Sequence, residues 1–220
     1  MGHVIAIDGP AGAGKSTIAR RLAERLGYVY IDSGAMYRAV ALWAIRENID
    51  LGDSLRVEQL ARAADIELLP QRGLRLNDED VSHDIRLPEV AVAASRVAAI
   101  KAVRAVLVAK QKHMADSANV VMEGRDIGTV VFPEARVKVF LDANPLERVR
   151  RRIGEQPDVP PESLAQQIAE RDDRDTHRAE SPLMQAPDAV YLDSTGMTAE
   201  EVEEEILKLV RARISNGKEH

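Results

Sequence analysis

The sequence contains no cysteine, and only 3% of its 220 residues are aromatic. The lack of cysteine excludes disulfide frameworks, thiolate metal sites and cysteine nucleophiles, and it is compatible with a reducing compartment such as the cytoplasm. With two Phe, one Trp and four Tyr, the chain is not suited to the wide base-stacking platforms of single-strand-binding proteins. We therefore expect an aliphatic core and a cytoplasmic location.

The sequence also lacks an excess of positive charge. Thirty basic residues against 36 acidic ones give a net charge of −6, so the overall field of the protein does not attract long nucleic acid. No apolar stretch approaches transmembrane length. The first residues, Met1-Gly2-His3-Val4, show no basic region followed by a long apolar run. We expect no membrane segment and no signal peptide.

Short apolar runs alternate with helical patterns along most of the chain. Strands are predicted at Val4–Asp8, Tyr28–Asp32, Asn119–Glu123, Val137–Leu141 and Ala189–Leu192. Helices are predicted at Lys15–Leu26, Ala35–Glu47, Leu55–Ala64, Val97–Met114, Pro145–Arg152 and Ser163–Arg178, with a last helix after a capping box formed by Thr198 and Glu201. This alternation predicts a three-layer α/β domain around a mostly parallel five-stranded sheet. Ligands bind such sheets outside the carboxyl ends of the strands.

The segment from 62 to 90 has a different character. Ile66–Leu69 and Leu74–Leu76 alternate apolar and polar residues, and Pro70, Gly73 and Asn77-Asp78 lie between or beside them. This pattern predicts an antiparallel hairpin. We therefore expect a core made of 1–61 and 91–220, and a small β-rich insert at 62–90.

The strongest motif lies between the first strand and the first helix. It comprises Gly9, Pro10, Ala11, Gly12, Ala13, Gly14, Lys15 and Ser16, and matches G-x-x-x-x-G-K-[ST] at every fixed position. The glycines permit backbone amides to encircle a phosphate, and the helix N-terminus adds partial positive charge. Lys15 can reach the terminal phosphates and Ser16 can ligate Mg²⁺. Thr17 occupies the third glycine position of G-x-G-x-x-G, which disfavours a dinucleotide fold.

The sequence lacks the motifs of a GTPase switch. No N-K-x-D guanine motif is present, and Asp193-Ser194-Thr195-Gly196 matches D-x-x-G only after the last predicted strand, where no switch loop belongs.

Arginines near turns and helix ends indicate a second anionic ligand. They are Arg38, Arg125, Arg171, Arg174 and Arg178. One interpretation of the last three is a solvated helix face with an i,i+4 pair between Arg171 and Asp175. The other is a phosphate site, because like charges converging on one helix face are costly unless an anion lies among them. The second pKa of a phosphate monoester is about 6, so the group is already a dianion at neutral pH. Such an acceptor is nucleophilic without a strong general base.

Four segments together resemble bacterial cytidylate kinases, in an order kept from Val4 to Arg213. They are IDGPAGAGKST (Ile7–Thr17), DSGAMYR (Asp32–Arg38), EGRDIGTVVFP (Glu123–Pro133) and ERDDRD (Glu170–Asp175). The resemblance implies a P-loop NTPase core with a nucleoside-monophosphate-binding insert and a mobile helical lid at about 148–178. It also implies phosphoryl transfer from ATP to CMP or dCMP with Mg²⁺.

The resemblance also implies roles for individual residues. ATP would bind at Gly9–Thr17. CMP would bind at Ser33, Arg38, Ser95, Arg104, Arg125, Asp126, Arg171, Asp175 and Arg178. Arg38 and Arg125 would clamp the acceptor phosphate; Asp126, Ser95 and Arg104 would read cytosine; Asp175 and Arg171 would hold the ribose. Lys15, Arg125, Arg151 and Arg178 are the predicted catalytic residues. The predicted magnesium ligand is Ser16, with Asp32 a second candidate.

Several assignments leave alternatives open. Asp126 is either a cytosine ligand or a helix N-cap, and Asp32 and Glu123 either hold Mg²⁺ through water or cap turns. Between Arg152 and Ser163 the lid is shorter than is usual in the family, with prolines at Pro157, Pro160 and Pro161. Arg150, Arg151 and Arg152 are candidate contacts to the transferred phosphoryl group; the alternative is a solvated helix end.

Two other functions fit the phosphate loop. One is a kinase for a hydroxyl acceptor such as shikimate or dephospho-coenzyme A, in which Asp32 would act as the base. The other is a regulatory module that binds ATP without transferring phosphate. We expect a monomer that binds small nucleotides, with no long nucleic acid and no membrane as partner.

Overall fold

The computed structural model describes residues 2–69, 73–116 and 118–215. The strands, in chain order, are β1 (Val4–Asp8), β2 (Val29–Asp32), β3 (Ile66–Leu69), β4 (Gly73–Leu76), β5 (Glu79–Asp80), β6 (Val120–Gly124), β7 (Val137–Asp142) and β8 (Val190–Asp193). The helices are α1 (Lys15–Leu26), α2 (Ser33–Arg46), α3 (Ser54–Ala63), α4 (Pro88–Val97), α5 (Lys101–Met114), α6 (Pro145–Glu155), α7 (Pro161–His177) and α8 (Ala199–Ser215). The chain forms two compact units, one of Met1–Ile31 with Ala115–His220 and one of Asp32–Met114.

The first unit is built on a five-stranded sheet of order β2-β6-β1-β7-β8. β1 pairs in parallel with β6 and β7, and β7 pairs in parallel with β8. Every residue of β1 and β6 is buried, which explains why these strands are continuous apolar runs rather than alternating patterns. The predicted five-stranded, mostly parallel α/β fold is confirmed.

Helices α1 and α8 supply apolar side chains to one core with the sheet. Ile18 and Leu22 of α1 and Ile206 of α8 pack with strand residues such as Ile7 and Val139. Helix α8 begins with the predicted capping box: the Glu201 amide donates to Thr198 Oγ1 at 3.2 Å, and the Thr198 amide donates to Glu201 Oε2 at 2.8 Å. Such reciprocal bonds satisfy amides that the first helical turn leaves unpaired.

In its described residues, the second unit combines four α-helices and a short 3-10 helix (Asp84–Arg86) with a three-stranded antiparallel sheet of order β3-β4-β5. Ile66 lies opposite Leu76 and Leu69 opposite Gly73, which confirms the predicted hairpin; its expected turn at Pro70 lies outside the described residues. Buried residues such as Met36 and Leu107 form the core, and the single tryptophan, Trp43, packs partly buried against it. The functional division into a 62–90 insert and a kinase core stays a prediction.

The prediction of one helix over Val97–Met114 is wrong. Val97 ends α4, which starts at Pro88, and α5 starts at Lys101. The Arg104 guanidinium donates to the carbonyl of Ala98 at 3.2 Å, and so satisfies a carbonyl freed where α4 ends. Ser95 and Arg104 therefore lie on separate helices.

Within the described ranges, every helix is too short or too polar to span a lipid bilayer. The sequence also predicts a frayed tail at 215–220; Ser215 is the last residue of α8, and residues 216–220 lie outside the described ones.

Candidate active site

The phosphate loop connects β1 to α1 and carries three glycines with positive φ. These are Gly9 at +149°, Gly12 at +75° and Gly14 at +89°. A Cβ on Gly9 would lie 2.0 Å from the carbonyl oxygen of Leu141 in β7. The loop backbone therefore runs against the neighbouring strand where no side chain fits, as the glycine-rich motif predicts.

Lys15 is folded back over this loop. Its ammonium donates to the carbonyl of Pro10 at 2.6 Å, and the residue is only 5% exposed. Burial, reinforced by the positive charge of Arg125, lowers the pKa of Lys15 to about 7 although Glu123 opposes the shift. The site thus holds a lysine that gains its proton most readily when an anion arrives.

Arg151 lies against the phosphate loop. Its guanidinium donates to the carbonyl of Ala13 at 3.1 Å and to the hydroxyl and carbonyl of Ser194 at 3.0 and 2.8 Å. It therefore joins the loop to the segment after β8, the one that matches D-x-x-G. The predicted contact of Arg151 with a transferred phosphoryl group stays a prediction.

The two neighbouring arginines point elsewhere. Arg150 is 77% exposed and pairs with Glu147, and Arg152 pairs with Glu155 at 2.7 Å. The contact of Arg150 and Arg152 with a transferred phosphoryl group stays a prediction, as does the alternative of a solvated helix end.

A second group of basic side chains surrounds Asp175 near the end of α7. Arg125 donates from Nε to Asp175 Oδ2 at 2.8 Å, Arg171 lies 4.0 Å from the same oxygen, and Arg178 lies 3.9 Å from Oδ1. Burial raises the pKa of Asp175, but the charges of Arg125 and Arg171 outweigh it and leave the pKa below its usual value. The predicted i,i+4 pair of Arg171 with Asp175 is thus present, around a buried carboxylate rather than on a solvated face.

Arg174 does not share this position. It lies 3.9 Å from Glu170 and is 45% exposed. Arg178 follows the last residue of α7 with an extended backbone (ψ 140°), and its Nε donates to the carbonyl of Ser181 at 2.6 Å. The three arginines therefore do not share the one helix face that the sequence suggested. Arg171 and Arg178 lie near Asp175, and Arg174 lies near Glu170.

Asp126 lies between β6 and a short π-helix, Ile127–Val131. Its backbone carbonyl accepts from the amides of Val130 and Val131. Its side chain makes no capping hydrogen bond to this helix among the residues the structure describes, and it lies 3.8 Å from Arg178. The side chain is thus placed beside a basic group rather than on the helix terminus.

The first two amides of this π-helix donate to the side chain of Asp8, not to that of Asp126. The two carboxylate oxygens of Asp8 accept from Ile127 N at 2.8 Å and Gly128 N at 2.7 Å. Burial raises the pKa of Asp8 to about 6, although both amides oppose the shift. The sequence placed Asp8 at a strand end and did not indicate this partner, because the contact spans more than a hundred residues.

The second unit carries five of the predicted site residues, Asp32, Ser33, Arg38, Ser95 and Arg104. Asp32 accepts from the Ala35 amide at 3.0 Å and from Arg38 at 2.7 Å, so it caps α2 and pairs with a predicted phosphate ligand. Burial raises the pKa of Asp32, but Arg38 and the amide outweigh it and lower the pKa overall.

Arg104 lies over the ring of Tyr37, 5.5 Å from its centroid. Ser33 is buried at the start of α2, and Ser95 lies in α4.

The described side chains form no ready metal site. No group of three or more His, Cys, Asp or Glu residues in 2–69, 73–116 and 118–215 is arranged to hold a metal ion. Glu123, the other acidic candidate, accepts from the Tyr30 hydroxyl at 2.6 Å. Ser16 stands in the first turn of α1, next to Lys15.

Two residues to which the sequence assigned no role also contact the loop. Arg148 donates to the Ala11 carbonyl, and Asp172 accepts from the Ala11 amide. Asp172 lies in the ERDDRD segment, but the sequence did not indicate its contact with the loop. No sequence signal distinguishes Arg148 from the charged residues around it on α6.

Comparisons with known proteins identify the family of this chain. The family model for cytidylate kinase matches residues 5–212. A cytidylate kinase from Solibacter usitatus is 61% identical over 222 residues, covering 98% of this chain and 95% of that protein. One from Desulforamulus reducens is 51% identical over 212 residues, covering 94% and 96%. A crystal structure of an uncharacterized protein from Eubacterium ventriosum shares the fold, with a TM-score of 0.58 at 13% identity over 97% of this chain and 100% of that one. With a family model that matches nearly its whole length, the chain belongs to the cytidylate kinase family.

Proposed function

We propose that this protein transfers the γ-phosphoryl group of ATP to CMP or dCMP, giving ADP and CDP or dCDP. The observation that carries the proposal is the presence, in one compact unit, of a phosphate loop with a buried lysine and, separately, of three arginines around the buried Asp175. Family membership supplies the identity of the acceptor.

The phosphate loop binds the donor. Backbone amides of Gly9–Thr17 and the N-terminus of α1 surround the phosphates, and Lys15 moves from the Pro10 carbonyl to their oxygens. Catalysis then consists of aligning two polyanions and neutralising their charge, because the acceptor phosphate needs no strong base. Lys15, Arg125, Arg151 and Arg178 supply that positive charge.

The Ser16 hydroxyl is a suitable protein ligand for Mg²⁺. Mg²⁺ keeps several waters and binds through one or two protein ligands plus substrate phosphates, so the Ser16 hydroxyl suffices without an acidic cluster. Both oxygens of Asp32 already accept a hydrogen bond, so Asp32 would act through water. When bound, the ion would neutralise the negative charge that develops on the donor phosphates.

The acceptor residues are assigned by the family motifs. Arg38 and Arg125 clamp the CMP phosphate, Asp175 and Arg171 hold the ribose, and Arg178 and Ser33 complete the contacts. Asp126, with Ser95 and Arg104, reads cytosine, because the N4 amino group is a donor that a carboxylate accepts. Uracil has a carbonyl there, which would face Asp126 with no proton between them. We also propose that the enzyme acts as a cytoplasmic monomer.

A coupled assay with MgATP and CMP, dCMP, UMP, AMP and GMP tests the proposal. We expect turnover of CMP and dCMP far above that of the others. Equal turnover of UMP would remove the cytosine assignment. Phosphorylation of shikimate or dephospho-coenzyme A in its place would select a hydroxyl acceptor, and ATP binding with no product from any acceptor would select a regulatory module.

The variant Asp126→Ala tests the base reader. It should raise the KM for CMP and narrow the ratio of CMP to UMP turnover. Asp173→Ala is a matched control, because Asp173 is 73% exposed on α7. An unchanged CMP-to-UMP ratio in Asp126→Ala would show that Asp126 does not read the base.

A further inference from the structure

Both backbone polar groups of Ala11, in the phosphate loop, are hydrogen-bonded to side chains. The Ala11 amide donates to Asp172 Oδ1 at 3.0 Å, and its carbonyl accepts from Arg148 at 3.1 Å. Asp172 belongs to α7 and Arg148 to α6. Two consecutive helices, both far from the loop in sequence, thus fix the orientation of one residue in the loop.

The two side chains also fix each other. The Arg148 guanidinium donates to Asp172 Oδ2, and its Nε donates to the Ala143 carbonyl at 3.1 Å. Their side chains are only 11% and 19% exposed, so solvent screens this pair poorly. Because each oxygen of Asp172 has its own partner, the carboxylate has little freedom to rotate.

The next residue of the loop is held sterically. Gly12 has a φ of +75°, and a Cβ there would lie 3.1 Å from the Arg148 carbonyl oxygen and 3.2 Å from the Arg148 Cβ. The backbone of α6 therefore abuts the loop at the residue after Ala11. Polar contacts on Ala11 and close packing on Gly12 therefore constrain the backbone of this part of the loop.

We propose that Asp172 and Arg148 are positioning residues that set the Ala11–Gly12 backbone for binding of the donor's phosphates. The inference rests on the proposed function only in taking the loop as the donor site. Asp172 does this from the helix that also carries Arg171 and Asp175. Its effect falls on the donor nucleotide, because its contact is with the donor loop.

Three variants of α7 test the role of Asp172. Asp172→Ala removes both the contact with the Ala11 amide and the charge that pairs with Arg148. Asp172→Asn keeps an oxygen that can accept from the amide and loses the charge. Asp173→Asn, at the exposed neighbouring position, is the control.

The primary measurement is the Kd of MgADP by calorimetry, without any acceptor. We expect Asp172→Ala to weaken binding about tenfold or more, since a charge-assisted hydrogen bond is lost. Asp172→Asn should weaken it less, and Asp173→Asn should leave it unchanged. In the coupled assay the KM for ATP should rise with the Kd, while the KM for CMP stays within about twofold of the wild type.

Thermal melts followed by circular dichroism identify a temperature at which each variant is folded, and binding is measured there. If Asp172→Ala does not fold, Asp172→Asn and Arg148→Lys carry the test. Wild-type affinity for MgADP in the folded variants, or equal rises in both KM values, would overturn the inference and leave a purely structural pair. A wild-type protein that binds MgADP but leaves every monophosphate unchanged would instead overturn the proposed function.

Discussion

Arg125 donates from Nε to Oδ2 of Asp175 at 2.8 Å, and the two side chains are only 15% and 9% exposed. The pair joins the end of β6 to the last turn of α7. Burial costs each charge its hydration, and the cost is offset only while the partner is present. Burial lowers the pKa of Arg125, but Asp175 outweighs it and raises the pKa overall. A guanidinium keeps its proton at any accessible pH, so Arg125 would remain charged without Asp175.

Replacing Asp175 should be strongly destabilising. In Asp175→Asn the buried Arg125 loses its counter-charge, and we expect the free energy of unfolding at neutral pH to fall by about 3 kcal/mol. Urea unfolding measures it. Asp173→Asn should change stability by no more than about 0.5 kcal/mol, because that side chain is exposed. Equal effects of the two substitutions would contradict a special role of the Arg125–Asp175 pair.

Acid should remove this difference. The pKa of Asp175 in the folded protein lies below the ordinary value of 3.8, so the folded state binds this proton more weakly than the unfolded state. The stabilisation is present above the unfolded pKa and is lost as pH falls through the folded pKa. Urea unfolding at a series of pH values should therefore show wild type and Asp175→Asn converging below about pH 4. A constant gap would show that the pair does not contribute through charge.

Nucleotide binding should take up a proton on the alkaline side of neutrality. Lys15 has a pKa of about 7 in the unliganded protein, and phosphate oxygens beside it favour its charged form. At about pH 8 we expect MgADP binding to take up a substantial fraction of one proton. Calorimetry in buffers of different ionisation enthalpy measures the uptake. Lys15→Met should bind without it, and uptake that persists in this variant would assign the proton to another group.

Arg151 and Arg150 offer a matched comparison, since both pair with Glu147. Only Arg151 also reaches Ala13 and Ser194. A lysine cannot keep those several bonds, so Arg151→Lys should lower kcat/KM for ATP about tenfold or more. Arg150→Lys, at an exposed pair, should stay within about twofold. Steady-state kinetics with varied ATP decide, and equal losses would show that the contacts of Arg151 are not used.

Two glycines should respond in opposite directions to alanine. At Gly9 the added Cβ would lie 2.0 Å from the Leu141 carbonyl, at a φ of +149°, so we expect a loss of about 3 kcal/mol or more. At Gly154, in α6, a Cβ meets no atom within 4 Å, and alanine should stabilise the helix by up to about 1 kcal/mol. Chemical unfolding of both variants checks this. A stable Gly9→Ala protein would mean that the loop can move away from β7.

The sequence predicted best where structure depends on neighbouring residues. The positive φ of Gly14 agrees with the phosphate-loop motif, and α1 ends at Gly27, a residue type that favours the left-handed C-terminal conformation seen there. The capping box of α8 does so as well. The β3–β4 hairpin followed from alternating polarity, which specifies a half-buried strand without any knowledge of its surroundings.

The remainder depends on contacts between distant parts of the chain. The interruption between Val97 and Lys101 falls in the run Ala98-Ala99-Ile100, which contains no helix breaker, so local propensity continues across it. The break is accompanied by a long side chain, Arg104, that returns to the Ala98 carbonyl. Likewise, the partner of Asp8 could be known only once β1 and β6 were placed side by side.

The position of Trp43 determines what an optical experiment can observe. It is the single tryptophan of the chain and belongs to the Asp32–Met114 unit, so indole fluorescence follows the packing of that unit alone. Far-ultraviolet dichroism, by contrast, averages over the helices of both units. Coincident midpoints from the two signals would identify a single cooperative transition, and separated midpoints would reveal that the Asp32–Met114 unit melts on its own.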